Sequence, residues 1–328
     1  MKITIDIKVV DGIYYIRETN QLYSGPYVLY YKNGQKESKV VIKGGKENGL
    51  WTTWFDNGQK ESEGKYKDGK VDGFWTTWFD NGQKRIEGTY KDWKRDGIWT
   101  FWFDNDGQKW YEITYKEGKK DGKWNKWYSD GNKSFEGTYK EGEKDGLWTY
   151  WYENGQKMEE GTFKDGKRDG LHTEWYENGQ KKSEKTYKDG KEDGIWTFWF
   201  DNDGQKWYEI TYKEGKKDGK WNKWYSDGNK SFEGTYKEGE KDGLWTYWYE
   251  NGQKMEEGTF KDGKRDGLHT EWYENGQKKR EETFKDDKED GLHTKWYVNG
   301  QKSSKWIYKD GETISSEHWN KNGSPGFY

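Results

Sequence analysis

Residues 146–169 read GLWTYWYENGQKMEEGTFKDGKRD, and three signals in them decide the fold class. The run from Leu147 to Tyr152 is rich in Trp, Thr and Tyr, which favour the pleated, half-buried surface of a strand. Asn154-Gly155 follows, the strongest short hairpin signal, because both central positions of a type I′ turn take positive φ. A second strand-like run, EEGTFK, ends at Asp165-Gly166, another turn dipeptide. The stretch therefore reads as one β-hairpin followed by a second tight turn.

The same pattern opens at Gly25, Gly49, Gly73, Gly97, Gly122, Gly146, Gly170, Gly194, Gly219, Gly243, Gly267 and Gly291. The spacing is 24 residues, or 25 after Gly97 and Gly194, where DNDGQK replaces DNGQK or ENGQK. Twelve repeats thus fill residues 25–314. Residues 96–182 and 193–279 are identical at an offset of 97, which marks a recent block duplication or deliberate construction. Fixed self-similarity of this length is the signature of a repeat architecture. The expected fold is all-β: an elongated, twisted and curved single-layer antiparallel meander of about twelve 24-residue hairpin repeats. At ~4.8 Å per strand it would extend on the order of 115 Å. Residues 1–24 read as capping strands, 25–314 as the tandem repeats, and 315–328 as a truncated repeat capping the far edge.

Within the Gly146 repeat, a two-residue turn pairs Tyr152 with Lys157, Tyr150 with Glu159 and Trp148 with Gly161. Alternation puts Trp148, Tyr152, Gly161 and Phe163 on one face, and Leu147, Thr149, Trp151, Glu160 and Thr162 on the other. Each face then carries an aromatic ladder, and Gly161 leaves room for the indole opposite.

Composition agrees with a fold that has little enclosed core. Of 328 residues, 36% are charged and only 29% hydrophobic, yet 19% are aromatic, too many for a disordered chain. The absence of Ala argues against a helical protein, and the absence of Cys excludes disulfides and thiolate metal sites. A net charge of -3 argues against phosphate-driven nucleic-acid binding. No stretch approaches the ~20 apolar residues of a membrane helix. The opening MKITIDIKVVDG lacks a signal-peptide plan, which points to the cytoplasm.

The pattern G-Φ-W-x-x-W-Y-x-N-G-Q-K-x-x-E-G-x-Y-K-D-G-K-x-D-G is similar to the bacterial variant of the MORN repeat. The plan from about residue 11 to 323, including the opening DGIYYIRETNQLYSGPYVLYYKNGQKES, resembles the YwqK-family antitoxins. The resemblance implies a bacterial, non-enzymatic binding protein, with a toxin as one partner class. Departures are Trp93 and Asp287 in the usual turn-Gly slot, and Ile113 and Ile210 where Gly normally faces Trp.

No nucleophile, base and orienter stand together, so no catalytic residue, metal site or cofactor is assigned. His172, His269 and His293 occupy the indole slot and read as flat rings replacing Trp; His318 stands alone in the tail. Asp104-Asn105-Asp106-Gly107 and its copy Asp201-Asn202-Asp203-Gly204 look faintly like calcium loops, but turn chemistry accounts for them. The functional content lies in aromatic side chains that vary between repeats. Trp93, Phe101, Trp110, Tyr111, Phe135 and Tyr150 are the candidate partner face, with Phe198, Trp207, Tyr208, Phe232 and Tyr247 in the following repeats. The expected partner is a protein or a second copy of the chain. Glycan or cell-wall polymer on the Trp/Tyr rows, and self-assembly into filaments, are the alternatives.

Overall fold

The computed structural model describes residues 6–104 and 107–326. All regular structure among them is β, in 31 strands with no helix. The chain divides into two compact units, Met1–Lys157 with Phe163–Gly166, and Met158–Thr162 with Lys167–Tyr328.

In the first unit, Ile7–Val10 and Ile13–Ile16 form a separate two-stranded sheet. From Gly25–Tyr30 onward the strands pair antiparallel in chain order, through Gly49–Trp54 with Lys60–Lys67 and Lys119–Trp127 with Lys133–Lys140. The second unit repeats the scheme from Lys167–Trp175 with Lys181–Lys188 to Lys302–Lys309 with Glu312–His318. Among the described residues Gly25–Tyr30 has one ladder partner, Lys36–Lys43, and Glu312–His318 has one, Lys302–Lys309; neither ladder closes into a barrel.

The two turn types are the reverse of the simplest reading. At Asn57-Gly58, only Gly58 has positive φ (85°), and Phe55 N–H and C=O bond Gln59 C=O and Gly58 N–H at 2.8 and 2.9 Å. This is a three-residue loop ending in a glycine bulge, not a type I′ turn. Two bonds from Asn57 explain the difference. Its Oδ1 accepts from Gln59 N–H at 2.9 Å, and its Nδ2 donates to Asp80 C=O in the next repeat at 3.1 Å. The type I′ turn is instead at Asp68-Gly69, with φ of 52° and 82°. The Gly69 N–H reaches back to Glu47 C=O at 2.9 Å. The Gly49 repeat is thus stapled to its neighbours at both sheet edges. Tyrosine adds a third staple: Tyr31 Oη donates to Trp54 C=O at 2.7 Å, and Tyr225 Oη to Trp248 C=O at 2.7 Å.

The bulge also shifts the register. The Gly243 repeat, identical in sequence to the Gly146 repeat, pairs Trp245 with Gly258 and Tyr247 with Glu256, as expected. It then pairs Trp248 with Lys254, where a two-residue turn would have paired Tyr249. The extra loop residue moves the indole one place along the ladder.

The two faces differ in chemistry. On the indole face, rings alternate along the ladder: Trp51, Tyr66, Trp75, Tyr90 and Trp99 lie 4.7, 6.1, 6.5 and 4.9 Å apart by centroid. On the outer face run three rows: exposed Leu, Ile or Phe; buried Thr; and Trp crossed by Lys. Lys60 is ion-paired to Glu63 at 2.7 Å, and its ammonium lies 5.6 Å from the Trp78 ring of the next repeat. Lys84, Lys206 and Lys278 repeat this arrangement with Trp102, Trp224 and Trp296. Each contact contributes about 0.5–1 kcal/mol at an exposed site, so the row counts collectively.

The indole rests on backbone. A Cβ built on Gly88 would lie 2.2 Å from the Trp99 indole, and one on Gly137 2.3 Å from Trp148. These glycines belong to the preceding repeat; the ring leans back, away from its own hairpin partner. Likewise a Cβ on Gly161 would meet His172 at 2.0 Å, so its near neighbour is the next repeat's ring, where the expected one was Trp148. Leaning back lets the ring nitrogen reach a carbonyl, Trp99 to Thr89 and Trp148 to Thr138, both at 3.1 Å. Trp75 lies on Gly64 through its benzo edge instead.

At the start of the first unit, the lead hairpin packs Ile7, Tyr14 and Ile16 on Tyr23, Val40 and Ile42. Gly45 permits the approach: a Cβ there would sit 2.7 Å from Leu22 and 2.9 Å from Ile13. Burial, reinforced by Glu47, pushes the nearby Tyr66 phenol up to about 12.

Candidate functional site

The aromatic residues singled out in the sequence occupy three different settings. Phe101, Tyr111, Phe135 and Tyr150 lie on the indole face of the first unit, two positions beyond the indole slot or across from it. Phe198, Tyr208, Phe232 and Tyr247 occupy the same slots in the second. Phe101 stacks on Tyr111 at 4.0 Å and Phe198 on Tyr208 at 4.2 Å. Phe135 and Tyr150 are 5.7 Å apart, and Phe232 and Tyr247 5.6 Å. Phe101 is buried and the others are half-buried. These rings are committed to one another and offer edges rather than open faces.

Trp110 and Trp207 stand at the register shift after the loops lengthened by one residue, exposed and edge-on to Tyr111 and Tyr208 at 4.9 Å. Trp93 is at the opposite sheet edge. It is the second residue of a type I′ turn, at φ 67°, where most repeats have glycine. A bulky residue in this region is a genuine outlier. Its indole is 56% exposed, with the Lys70 ammonium 3.0 Å from the ring centroid. Beside it lies a cleft of about 760 Å³ lined by Lys91, Lys94, Asp96, Tyr115, Lys116 and Asp121 among others. The second outlier of this kind is Asp287, φ 66°, whose carboxylate accepts from Arg265 N–H at 2.9 Å. That bond accounts for Asp287; Trp93 has the Lys70 cation contact but, among the described residues, no hydrogen bond to the neighbouring backbone.

The outer apolar row was not singled out in the sequence. Leu50, Phe74, Ile98 and Leu147 are 50–58% exposed in the first unit, and Leu171, Ile195, Leu244, Leu268 and Leu292 are similarly exposed in the second. The signal was available, since each immediately precedes the indole slot and strand alternation turns it to the other face.

The histidines behave as indole substitutes. His172, His269 and His293 Nε2 bond the carbonyls of Thr162, Thr259 and Thr283 at 2.8, 2.8 and 2.9 Å, the equivalents of the Trp148–Thr138 bond. The carbonyl accepts, so Nε2 carries the proton in all three. Burial holds His269 below the ordinary histidine range, opposed by its backbone bond and by Glu256 and Glu282. Around it Arg280 pairs with Glu271 and, at 3.4 Å, with Glu282, while Arg265 lies 3.9 Å over the Phe284 ring. Arg280 thus bridges two of the cluster's carboxylates, an ion-pair network in place of the aromatic row. His318 lies 5.3 Å from the Trp306 ring. In the loop at Asp201, Asp203 Oδ1 accepts from Gln205 N–H at 3.0 Å, an ordinary Asx turn. The Asn105 and Asp106 portion of the first such loop lies outside the described residues.

The MORN repeat variant family matches ten stretches: 47–68, 72–92, 95–117, 120–141, 144–165, 168–189, 192–214, 217–238, 241–262 and 265–286. The chain belongs to this family. No curated protein matches it. Solved structures with similarity include a crystal structure of TcdB2-TccC3-Cdc42, 10% identical with a TM-score of 0.20, over 90% of this chain and 18% of that one. Another is the Photorhabdus luminescens Tc holotoxin pore, 11% identical with a TM-score of 0.18, over 92% and 18%. A third is alternansucrase in complex with isomaltononaose, 15% identical with a TM-score of 0.17, over 84% and 20%. The chain thus spans about a fifth of the solved chains it matches. Among the described residues, no helix is long and apolar enough to cross a membrane.

In the MORN repeats of this chain, then, the shared positions build the sheet and the variable positions distinguish one repeat from another. Trp93 is the variable position whose local cost is plainest.

Proposed function

We propose that this MORN-repeat chain is a non-catalytic cytoplasmic scaffold that binds a protein partner, with Trp93 as the central anchor. The carrying observation is a large aromatic held at φ 67° with its indole 56% exposed. A left-handed backbone costs an L-residue roughly 1–2 kcal/mol, and glycine stands at this place in most repeats. Strain kept against an available cheaper residue supports a functional role. Exposed Trp is also the residue type most enriched among binding hot spots. Trp110 and Tyr111, with the rings around Phe101, Phe135 and Tyr150, extend the contact along the first unit; Phe198, Trp207, Tyr208, Phe232 and Tyr247 do so in the second. Neutralisation of a toxin is the specific form of this activity that the resemblance to YwqK-type antitoxins supports.

Trp93→Gly restores the ordinary turn, so folding is maintained or slightly strengthened. Binding of a partner co-purified with the wild-type chain should weaken by about tenfold or more, the ~1.4 kcal/mol or greater expected of a hot-spot Trp. Unchanged affinity would contradict the anchor role.

A further inference from the structure

We infer that the outer face carries a subsite for a neutral saccharide ring at Asn125 and Trp127, built a second time at Asn222 and Trp224. This goes beyond the protein-partner reading and does not depend on it.

In nine repeats the outer-face residues flanking the indole slot are Leu, Ile or Phe before it and Thr after it. Only the Gly122 and Gly219 repeats carry Lys and Asn there: Lys123 and Asn125, then Lys220 and Asn222. The substituted Thr row is otherwise buried, with Thr100 at 8% and Thr149 at 3% exposure flanking Asn125 in the first unit. Asn125 pairs in register with Glu112 on one side and Glu136 on the other. Those carboxylates are held by Lys109 and Lys133, and the Asn125 carboxamide, only half-buried, has no hydrogen bond within the described chain. Two donors and an acceptor are therefore uncommitted. Glu136 is also more open than its equivalents, its side chain 41% exposed against 25% for Glu87 and Glu112. In the duplicate, Glu233 is 42% exposed.

These residues line a cleft of about 440 Å³ with Lys123, Trp127, Lys133 and Leu147. The size falls within the ~300–1,000 Å³ usual for small-ligand sites. Its chemistry is mixed in a particular way. Leu147 and the Trp127 indole, whose ring has the Lys109 ammonium 5.9 Å away, offer an apolar platform, and Asn125, Glu136 and the lysines ring it with donors and acceptors. A pyranose has the matching form, an apolar C–H patch rimmed by hydroxyls. An apolar peptide would lose the Leu row where Lys123 interrupts it, and a polyanion would meet Glu136.

The test uses the full chain in isothermal titration against maltotetraose, cellotetraose, xylotetraose and chitotetraose. At least one should bind with Kd between ~10 μM and ~1 mM, at two sites per chain. Lys123→Leu with Asn125→Thr rebuilds the ordinary repeat, so the fold is retained, and the stoichiometry should halve. Adding Lys220→Leu and Asn222→Thr should abolish binding. No heat from any of the four sugars at ~1 mM, or binding that survives all four substitutions, would overturn the proposal. Partner binding through Trp93 should be untouched by these reversions, which separates the two readings.

Discussion

Trp148 and Trp124 hold the same slot in adjacent repeats, yet one rests on Gly137 and the other stands beside Ile113. Trp148 is 1% exposed and donates to Thr138 C=O at 3.1 Å. Trp124 is half-buried, and its ring nitrogen, itself shielded from water, has no partner. It turns instead toward Phe135, 4.7 Å away and perpendicular. The same orphan N–H recurs at Trp221 beside Ile210 and at Trp51, packed on the cluster that contains Val40. Yet Trp196 beside Lys185 and His293 beside Glu282 keep their carbonyl bonds at 3.0 and 2.9 Å. Where a side chain lies under the ring, an unbranched one is therefore tolerated and a β-branched one is not, because its second γ-carbon fills the space over the backbone; Trp75, on Gly64 through its benzo edge, shows that glycine alone does not secure the bond. The two arrangements nearly balance. An orphaned buried donor costs about 1–3 kcal/mol, and burying Ile contributes about 1.5–3 kcal/mol. Ile113, at 2% exposure, recovers in packing with Trp99 and Phe101 what Trp124 loses in bonding.

The largest effect should come from imposing the second arrangement on the first. Gly137→Val places a branched carbon under a fully packed indole, and urea unfolding should show a loss of about 2–5 kcal/mol from overpacking plus the orphaned N–H. The converse change, Ile113→Gly, removes a buried side chain normally worth about 2–4 kcal/mol. Here the loss should be smaller, because Trp124 can settle on backbone and reach the Thr114 carbonyl; a full-sized loss would break the comparison. A third change separates ring from bond. His269→Trp keeps the carbonyl bond and removes a titratable group. Because burial lowers the His269 pKa, the unfolded chain binds its proton first as pH falls. That contribution to stability is intact above the unfolded value near ~6.5 and declines below it. Urea midpoints near neutral pH should agree between the two proteins and diverge on acidification, the His form falling faster. The smallest effect belongs to the edge staples. Tyr249→Phe removes its 2.9 Å bond to Trp272 C=O and should cost about 1 kcal/mol.

Much of this fold is legible in the sequence, because each repeat states the same local preferences again. The hairpins, the all-β class, the pairing of small Gly across from Trp and the role of His as a flat ring all follow from residue type and alternation. The turn types did not follow. Asn-Gly favours type I′ in isolation, but Asn57 has a carbonyl to reach in the next repeat, and a contact between repeats overrides the dipeptide. Nor did the direction in which the indole leans, since strand pairing places an indole on both sides of Gly64, Trp51 in its own hairpin and Trp75 in the next repeat. The outer apolar row is legible by alternation, which places Leu147 on the face opposite Trp148. The uncommitted Asn125 carboxamide depends on side-chain partners, which spacing alone does not reveal.

Under a ring that lies on a side chain, β-branching separates repeats that keep the carbonyl bond from those that lose it. The most direct test of this is hydrogen exchange of the assigned Trp148 indole N–H in Gly137→Val beside Gly137→Glu. The valine variant should exchange about tenfold faster or more, the equivalent of ~1.4 kcal/mol, and the glutamate variant close to wild type. Equal acceleration in both, or none in either, would contradict it.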